Sequence, residues 1–187
     1  MRVITGTARG RKLKTPENYD IRPTTDNVKE SVFNIIQFDI EGRRVLDLFA
    51  GTGQLGIECL SRGAESAVFC DVSKKAVAAV KRNIELMRCA DRTRVVQGDW
   101  RSAVAGRYSL VFIDPPYRLT EVYAQAADAL ISGGHLTGDA LIVMERAADK
   151  PIKGLDERFE IIDERKYRDT ALTFVRIRQA EKGGEDA

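Results

Sequence analysis

The chain has 187 residues, and 43% of them are apolar, which is enough to bury the core of one ordinary domain. Its 30 lysines and arginines nearly balance its 28 aspartates and glutamates, so the composition excludes a strongly basic or strongly acidic protein. No apolar run reaches the roughly 18 residues that a membrane span needs, and no signal peptide opens the chain. We therefore expect a cytoplasmic protein without a membrane partner.

The amino-terminal segment carries a local excess of positive charge. Residues 2–6 and 10–14 predict two short strands around a turn, forming a small β-hairpin, and a helix follows from about Asp26 to Ile36. Basic side chains on the exposed face of this hairpin predict a contact with an RNA backbone, and a solvated surface ribbon is the alternative. The candidate contact residues in the hairpin are Arg2, Arg9, Arg11 and Lys12.

A buried strand joined to a helix by glycines comes next. Residues 45–49 are apolar except for Asp47, and residues 51–56 follow with the spacing Gly-x-Gly-x-x-Gly. Such a turn binds a dinucleotide or S-adenosylmethionine, and Asp71 lies where a ribose contact is expected in either case. Asp47 favours S-adenosylmethionine, because a carboxylate opposes a pyrophosphate but attracts an ammonium and a sulfonium. A glycine turn that binds nothing is the remaining alternative.

From residue 44 onward, strands and helices alternate, which predicts an α/β domain with helices on both faces of a mostly parallel sheet. The predicted strands are 44–49, 66–70, 93–97, 110–114 and 140–145, and the predicted helices are 55–62, 74–87 and 121–131. Too few residues separate 159–167 from 172–178 for a crossover, so these two segments predict an antiparallel hairpin.

Two further aspartates follow predicted strands. Asp71 could accept hydrogen bonds from ribose hydroxyls, and Asp99 could accept one from an adenine amine while Val72 or Trp100 covers the ring. Each aspartate could instead cap the helix that follows it. Carboxylates at the ends of three successive strands favour a binding site over three separate caps.

Residues 114–117 read Asp-Pro-Pro-Tyr and directly follow an apolar strand. The two prolines fix the backbone and remove two amide donors, which leaves carbonyl oxygens free to accept hydrogen bonds. If Asp114 and the Pro115 carbonyl each accept one N–H of an amine, its lone pair is held toward a methyl donor, and Tyr117 can stack on the base. The alternative is a loop in which Pro115 and Pro116 only terminate the strand.

These motifs together resemble the amino-methyltransferases with an (Asp/Asn/Ser)-Pro-Pro-(Tyr/Phe) motif, and more closely the RsmD-type small-subunit ribosomal RNA guanine-N2 methyltransferases. The resemblance runs from Arg2 to about Arg178. It is carried by residues 9–13 (Arg-Gly-Arg-Lys-Leu), 22–26 (Arg-Pro-Thr-Thr-Asp), 49–56, 60–64 (Leu-Ser-Arg-Gly-Ala) and 114–117. Two positions depart from the family pattern: Gln54 replaces a small residue, and Asp71 replaces the usual glutamate.

The resemblance implies a Rossmann-like class I methyltransferase with a seven-stranded sheet that closes with an antiparallel strand. It also implies S-adenosylmethionine as the cofactor and transfer of a methyl group to the N2 amine of one guanine in 16S rRNA. The substrate would be a partly assembled 30S particle, and we expect a monomer without a metal ion. A DNA adenine or protein glutamine methyltransferase, a non-catalytic RNA-binding module and a dehydrogenase are the alternatives.

The site assignments follow from the motifs and the resemblance together. The expected catalytic residues are Asp114, Pro115, Pro116 and Tyr117. The expected cofactor-binding residues are Asp47, Phe49, Ala50, Gly51, Gly53, Asp71, Val72, Asp99 and Trp100. Arg22 and Thr24 join the four hairpin residues as RNA contacts. The expected organisation is an RNA-binding segment at 1–38, a catalytic domain at 39–180 and a disordered tail at 181–187.

Overall fold

The computed structural model describes residues 1–15 and 26–179, so the expected roles of Arg22 and Thr24 and the expected disorder of 181–187 lie outside the described residues. The helices are α1 (Asp26–Ile35), α2 (Gln54–Ser61), α3 (Lys74–Met87) and α4 (Val122–Ser132). The strands are β1 (Arg44–Asp47), β2 (Ser66–Asp71), β3 (Thr93–Gln97), β4 (Tyr108–Ile113), β5 (Leu136–Ala147), β6 (Phe159–Tyr167) and β7 (Thr170–Ile177). Short 3₁₀ helices occupy Ala90–Arg92 and Trp100–Ala103.

The seven strands form one sheet in the order β3-β2-β1-β4-β5-β7-β6. Strands β1 to β5 pair in parallel, whereas β7 is antiparallel to both of its neighbours, β5 and β6. The predicted α/β architecture and the closing antiparallel strand are therefore confirmed. The connection between β6 and β7 is shorter than the sequence suggested, because only Arg168 and Asp169 separate the strands.

Each face of the sheet is covered by its own hydrophobic core. The first core joins α1, α2 and α3 to the sheet, and it includes Phe33 and Phe112, whose ring centroids are 6.3 Å apart. The second core joins α4 and the 3₁₀ helix that begins at Trp100 to the opposite face. All six residues of β4 are buried, as expected for a central strand covered on both sides. Across residues 1–15 and 26–179, no helix has both the length and the apolar character needed to cross a membrane.

The amino-terminal segment packs against α2. Both oxygens of the fully buried Glu58 accept hydrogen bonds from this segment: Ile4 N donates to Oε2 at 2.8 Å and Thr5 N to Oε1 at 2.9 Å. Lys29 reaches the same carboxylate at 3.0 Å and also donates to the carbonyl of Arg2. The two predicted short strands form one antiparallel bridge, between Arg2 and Lys12, and Val3 N and Gly10 N donate across the two segments to the carbonyls of Arg11 and Val3.

Candidate active site

Four carboxylates gather at the carboxyl edge of the sheet, which is where open α/β sheets bind ligands. Asp47 and Asp71 are the last residues of β1 and β2, and Asp114 directly follows β4. Glu145 lies near the end of β5. The first three were predicted from the sequence, and the fold brings them to one edge because their strands are parallel.

The predicted glycine turn adopts the backbone conformation that requires glycine. Gly51 has φ 54° and Gly53 has φ 79°, in the left-handed region that side chains disfavour. Gly56 serves packing instead, because a Cβ atom on it would lie 2.4 Å from the ring of Phe69. The turn thus leaves β1, passes the sheet edge and enters α2 within a few residues, and Gly51 is its partly exposed position.

Asp47 is buried beneath this turn with an exposed fraction of only 1%. Neither carboxylate oxygen accepts a geometrically well-formed hydrogen bond from any described residue, although the backbone amides of Gly56 and Phe49 lie near enough to lower the pKa of Asp47. Burial dominates, and with the charge of Asp71 it raises the pKa of Asp47 to about 7. A buried carboxylate without a partner is costly, so it fits a site that a cationic group completes.

Asp71 fixes the shape of the glycine turn. Its Oδ2 atom accepts a hydrogen bond from Gly51 N at 2.9 Å, and its Oδ1 atom accepts one from Ser73 N at 2.8 Å. An ionised carboxylate has about four lone-pair sites. Each oxygen of Asp71 can therefore still accept a hydrogen bond from a ribose hydroxyl. Its side chain, which is shorter than that of the usual glutamate, is already hydrogen-bonded to the loop.

A cavity of about 320 Å³ lies beside the turn, between the ends of β2, β3 and β4. Asp99 caps the 3₁₀ helix here, accepting from Arg101 N at 3.1 Å, so the capping role considered from the sequence is present. Val72 is 70% exposed at this cavity, whereas Trp100 is only 4% exposed and lies beneath the guanidinium of Arg101. Of the two side chains expected to cover an adenine, Val72 is the accessible one.

The Asp-Pro-Pro-Tyr loop lies at the same edge as Asp47. Burial raises the pKa of Asp114 well above its usual range, and the charges of Glu145 and Asp47 raise it further. The Tyr117 hydroxyl lies 2.9 Å from Thr170 Oγ1 and 3.5 Å from Glu145 Oε1, which restrains the ring from below. The loop therefore holds a carboxylate and an aromatic ring in a defined relation, as an amine on a planar base requires.

Glu145 was missed by the sequence analysis. It is 9% exposed, and its backbone carbonyl accepts a hydrogen bond from the Tyr123 hydroxyl at 2.7 Å. The signal that could have identified it is the same as for Asp47, namely a carboxylate after an apolar strand segment, Leu141–Met144. Its nearness to Asp114 follows only from the pairing of β4 with β5.

The predicted RNA-binding residues of the amino-terminal segment are exposed but not all near this edge. Arg2, Arg9, Arg11 and Lys12 all face solvent. Thr7 N donates to the carbonyl of Ser61 at the far end of α2, so the loop that carries Arg9 lies toward the amino edge of the sheet. Arg11 is partly held by the carbonyl of Leu86, the second-last residue of α3. An RNA that contacts both Arg9 and the Asp-Pro-Pro-Tyr loop must therefore extend from the amino edge of the sheet to its carboxyl edge.

Comparisons with known proteins agree with this geometry. The family model described as conserved hypothetical protein 95 matches residues 1–176. The Escherichia coli K12 protein named ribosomal RNA small subunit methyltransferase D is 32% identical over 188 residues, covering 99% of this chain and 92% of its own. Its namesake from Haemophilus influenzae is 34% identical over 158 residues, covering 81% of each chain. The solved structure of Escherichia coli yhhF is similar with a TM-score of 0.84 and 30% identity, covering 95% of this chain and 97% of that one.

Proposed function

The chain belongs to the RsmD family, and from that premise we propose that it transfers a methyl group from S-adenosylmethionine to the N2 amine of a guanine in small-subunit ribosomal RNA. The observation that carries the proposal is the position of the Asp-Pro-Pro-Tyr loop beside Asp47, a buried carboxylate that lacks a described hydrogen-bond donor. The names of the relatives support ribosomal RNA as the substrate. We further propose that the substrate is a partly assembled 30S particle and that the enzyme acts as a monomer.

The residues around the glycine turn fit S-adenosylmethionine. This cofactor supplies an electrophilic methyl group on a positively charged sulfur. Asp47 would neutralise the ammonium of its methionine part, and Asp71 would accept hydrogen bonds from its ribose. Asp99 would accept from the adenine amine while Val72 covers the ring, and the backbone of Phe49 to Gly53 would border the rest of the cofactor.

The Asp-Pro-Pro-Tyr loop would orient the target amine. The Pro116 carbonyl is already bound by Leu119 N at 2.8 Å, so we assign the Pro115 carbonyl and Asp114 as the two acceptors of the amine hydrogens. An exocyclic amine is a weak nucleophile because its lone pair is delocalised into the ring. Holding both hydrogens directs the lone pair toward the methyl group, and Tyr117 stacking fixes the plane of the base.

A proton must leave the nitrogen when the new carbon–nitrogen bond forms. The raised pKa of Asp114 makes its carboxylate a stronger base than an ordinary aspartate, so it can both stabilise the developing positive charge and take that proton. Water at the open edge of the site can then carry the proton away. Asp114 must be ionised at the start of the cycle to do this.

The proposal is tested by identifying the modified nucleoside. Labelled S-adenosylmethionine is incubated with the protein and, separately, with naked small-subunit rRNA, small subunits from a strain lacking the enzyme, and duplex DNA. We expect N2-methylguanosine in the small-subunit samples. N6-methyladenine in DNA, or no labelled nucleoside in any sample, would reject the assigned reaction.

The variant Asp114→Ala tests the mechanism in the same assay. It should lower kcat by at least about a thousandfold, since both orientation and proton transfer are lost. Binding of S-adenosylmethionine, measured by calorimetry, should remain within about threefold of wild type, because the cofactor contacts assigned above do not involve Asp114. Substantial residual turnover in this variant would contradict the role proposed for Asp114 in orienting the amine and accepting its proton.

A further inference from the structure

Asp114 and Glu145 each follow a paired residue on neighbouring parallel strands: Asp114 is the first residue after β4, and Glu145 lies within β5. Ile113 of β4 pairs in register with Met144 of β5, so Asp114 and Glu145 are the next residues on each side. Neighbouring strands lie about 4.8 Å apart, and paired residues of parallel strands point to the same face. Two carboxylates thus stand side by side where the target amine is expected.

The direction of these side chains follows from the pairs below them. Phe112 pairs with Val143, two residues before Asp114 and Glu145, and both belong to the core under α1, α2 and α3. Asp47 pairs with Phe112 and faces the same side. The charge of Glu145 acts on Asp114, as does that of Asp47, which agrees with three carboxylates in one row across β1, β4 and β5.

The surroundings of Glu145 hold its side chain at the Asp-Pro-Pro-Tyr loop. Its Oε1 atom lies 3.5 Å from the Tyr117 hydroxyl, and Tyr117 is the ring assigned to stack on the target base. Its backbone is fixed by the hydroxyl of Tyr123 and by pairing with Leu172 of β7. The Glu145 side chain is therefore held at the hydroxyl end of the ring assigned to stack on the base, and little of it is exposed to solvent.

The hydrogen-bonding edge of guanine matches two adjacent carboxylates. The N2 amine of guanine is next to N1–H, a second donor, whereas the N6 amine of adenine is next to N1 without hydrogen, which is an acceptor. An ionised carboxylate accepts hydrogen bonds and donates none, so it favours the guanine arrangement and opposes the adenine arrangement.

We propose that Glu145 selects guanine by accepting a hydrogen bond from N1–H while Asp114 and the Pro115 carbonyl hold the N2 amine. This assignment rests on the proposed function and adds to it the residue that distinguishes guanine from other bases with an exocyclic amine. It explains how an Asp-Pro-Pro-Tyr loop, which recognises an amine, acts on one base.

The test uses 2-aminopurine, which retains the 2-amine of guanine but carries an acceptor at N1. Small-subunit rRNA is prepared by ligation with either guanine or 2-aminopurine at the mapped target position. Wild-type enzyme should favour guanine by at least about tenfold in kcat/KM, because the 2-aminopurine N1 atom leaves the carboxylate without a donor. Equal rates for the two bases would overturn the proposal without any variant.

The variant Glu145→Gln should relax this preference to within about threefold, since its amide can either accept from N1–H or donate to a bare N1. Glu160→Gln is the matched control, because Glu160 is exposed on the edge strand β6, and it should keep the wild-type preference. Glu145→Asp, which keeps the charge, should retain part of the preference even if turnover falls. A preference that persists in Glu145→Gln would overturn the proposal.

The outcomes separate this inference from the function on which it rests. If wild type forms no N2-methylguanosine on the guanine substrate, the proposed function fails. If it does so but Glu145→Gln discriminates as wild type does, only the role of Glu145 fails. Melting temperature and S-adenosylmethionine affinity are measured for each variant, and should Glu145→Gln unfold, Glu145→Asp and the wild-type comparison decide the result.

Discussion

The negative charge of Asp47 should destabilise the free protein and stabilise the complex with the cofactor. It is 1% exposed, and no described residue donates a hydrogen bond to it. In the free protein this burial penalises the charged form, whereas a bound ammonium would favour it. Two predictions at the scale of this residue follow from its raised pKa.

Asp47→Asn should stabilise the free protein at alkaline pH. The folded-state pKa of about 7 lies above the ordinary 3.8, so the contribution of Asp47 to stability is present at low pH and is lost as the pH rises through about 7. The free energy of unfolding of the variant should therefore exceed that of wild type by on the order of 2–4 kcal/mol at about pH 8.5 and by much less at about pH 4.5. Urea unfolding at both pH values measures this difference in stability, and an equal difference at both would contradict the raised pKa of Asp47.

Affinity for S-adenosylmethionine should rise with pH between about 5.5 and 7.5, by up to about tenfold per pH unit, because an ammonium beside Asp47 favours the ionised carboxylate. Binding then releases a proton from Asp47 whenever the pH is below about 7. Calorimetry in two buffers with different ionisation enthalpies detects this proton. Asp47→Asn should bind more weakly and show no such pH dependence; a pH-independent wild-type affinity would exclude Asp47 as the ammonium partner.

At the scale of secondary-structure elements, the amino-terminal segment is held to α2 through Glu58 and Ser61. Glu58 is fully buried and binds Lys29, Arg62 and two backbone amides of the segment. Ser61 adds contacts to Thr5 and Ala8. A buried ion pair of this kind contributes to stability mainly because its backbone hydrogen bonds satisfy the remaining lone pairs. The segment is therefore part of the folded domain and not a separate arm.

Two glycines of this segment allow that attachment to be tested with a matched pair of variants. Gly6 and Gly10 have φ of 86° and 80°, so alanine at either position costs about 1–2 kcal/mol in backbone strain. A Cβ atom at Gly6 would also lie 1.8 Å from the Ser61 carbonyl oxygen, while nothing lies within 4 Å at Gly10. The free energy of unfolding should thus fall by about 1–3 kcal/mol more in Gly6→Ala than in Gly10→Ala.

Limited proteolysis provides a second measurement for this pair. Gly6→Ala should be cleaved within residues 1–15 faster than both wild type and Gly10→Ala, because the clash with Ser61 displaces the segment. Equal stability and equal cleavage of the two variants would mean that the segment does not depend on its contact with α2.

At the scale of the whole molecule, Arg9 and Arg11 of the amino-terminal segment lie on a different part of the surface from the Asp-Pro-Pro-Tyr loop. The loop at Arg9 packs near the far end of α2, whereas Asp114 lies at the carboxyl edge of the sheet. We expect a large folded RNA to contact both regions. Phosphate contacts by arginine position such a substrate without taking part in the reaction.

The joint variant Arg9→Ala and Arg11→Ala should weaken RNA affinity and leave kcat near the wild-type value. Loss of two phosphate contacts should reduce the slope of log K against log salt by about 1.4–1.8. Filter binding over a range of salt concentrations measures the slope, and Arg165→Ala, on the exposed strand β6, is the control. An unchanged slope in the joint variant would make the segment an ordinary solvated surface.

The sequence alone determined the order of the elements and the strand ends at which the candidate site lies. Apolar periodicity, the glycine turn and the two prolines are local signals, so they predicted the α/β order and the turn at residues 51–56, which the structure confirms, while the amine-binding role of residues 114–117 stays a prediction. The final hairpin was predictable for the same reason, since a short connection excludes a crossover. Asp47, Asp71 and Asp114 could be placed at one edge because the carboxyl ends of parallel strands meet there.

Only the tertiary structure decided which of these groups lack partners and which lie together. Trp100 is buried under Arg101 while Val72 remains exposed, a difference that depends on packing between distant segments. The amides of Ile4 and Thr5 bind Glu58, whereas Val3 N, Gly10 N and Leu13 N bond across the two predicted strands, and only the packing of α2 against this segment brings Glu58 within reach. Glu145 stands beside Asp114 through the register of β4 with β5, and register is a long-range property that no local pattern encodes.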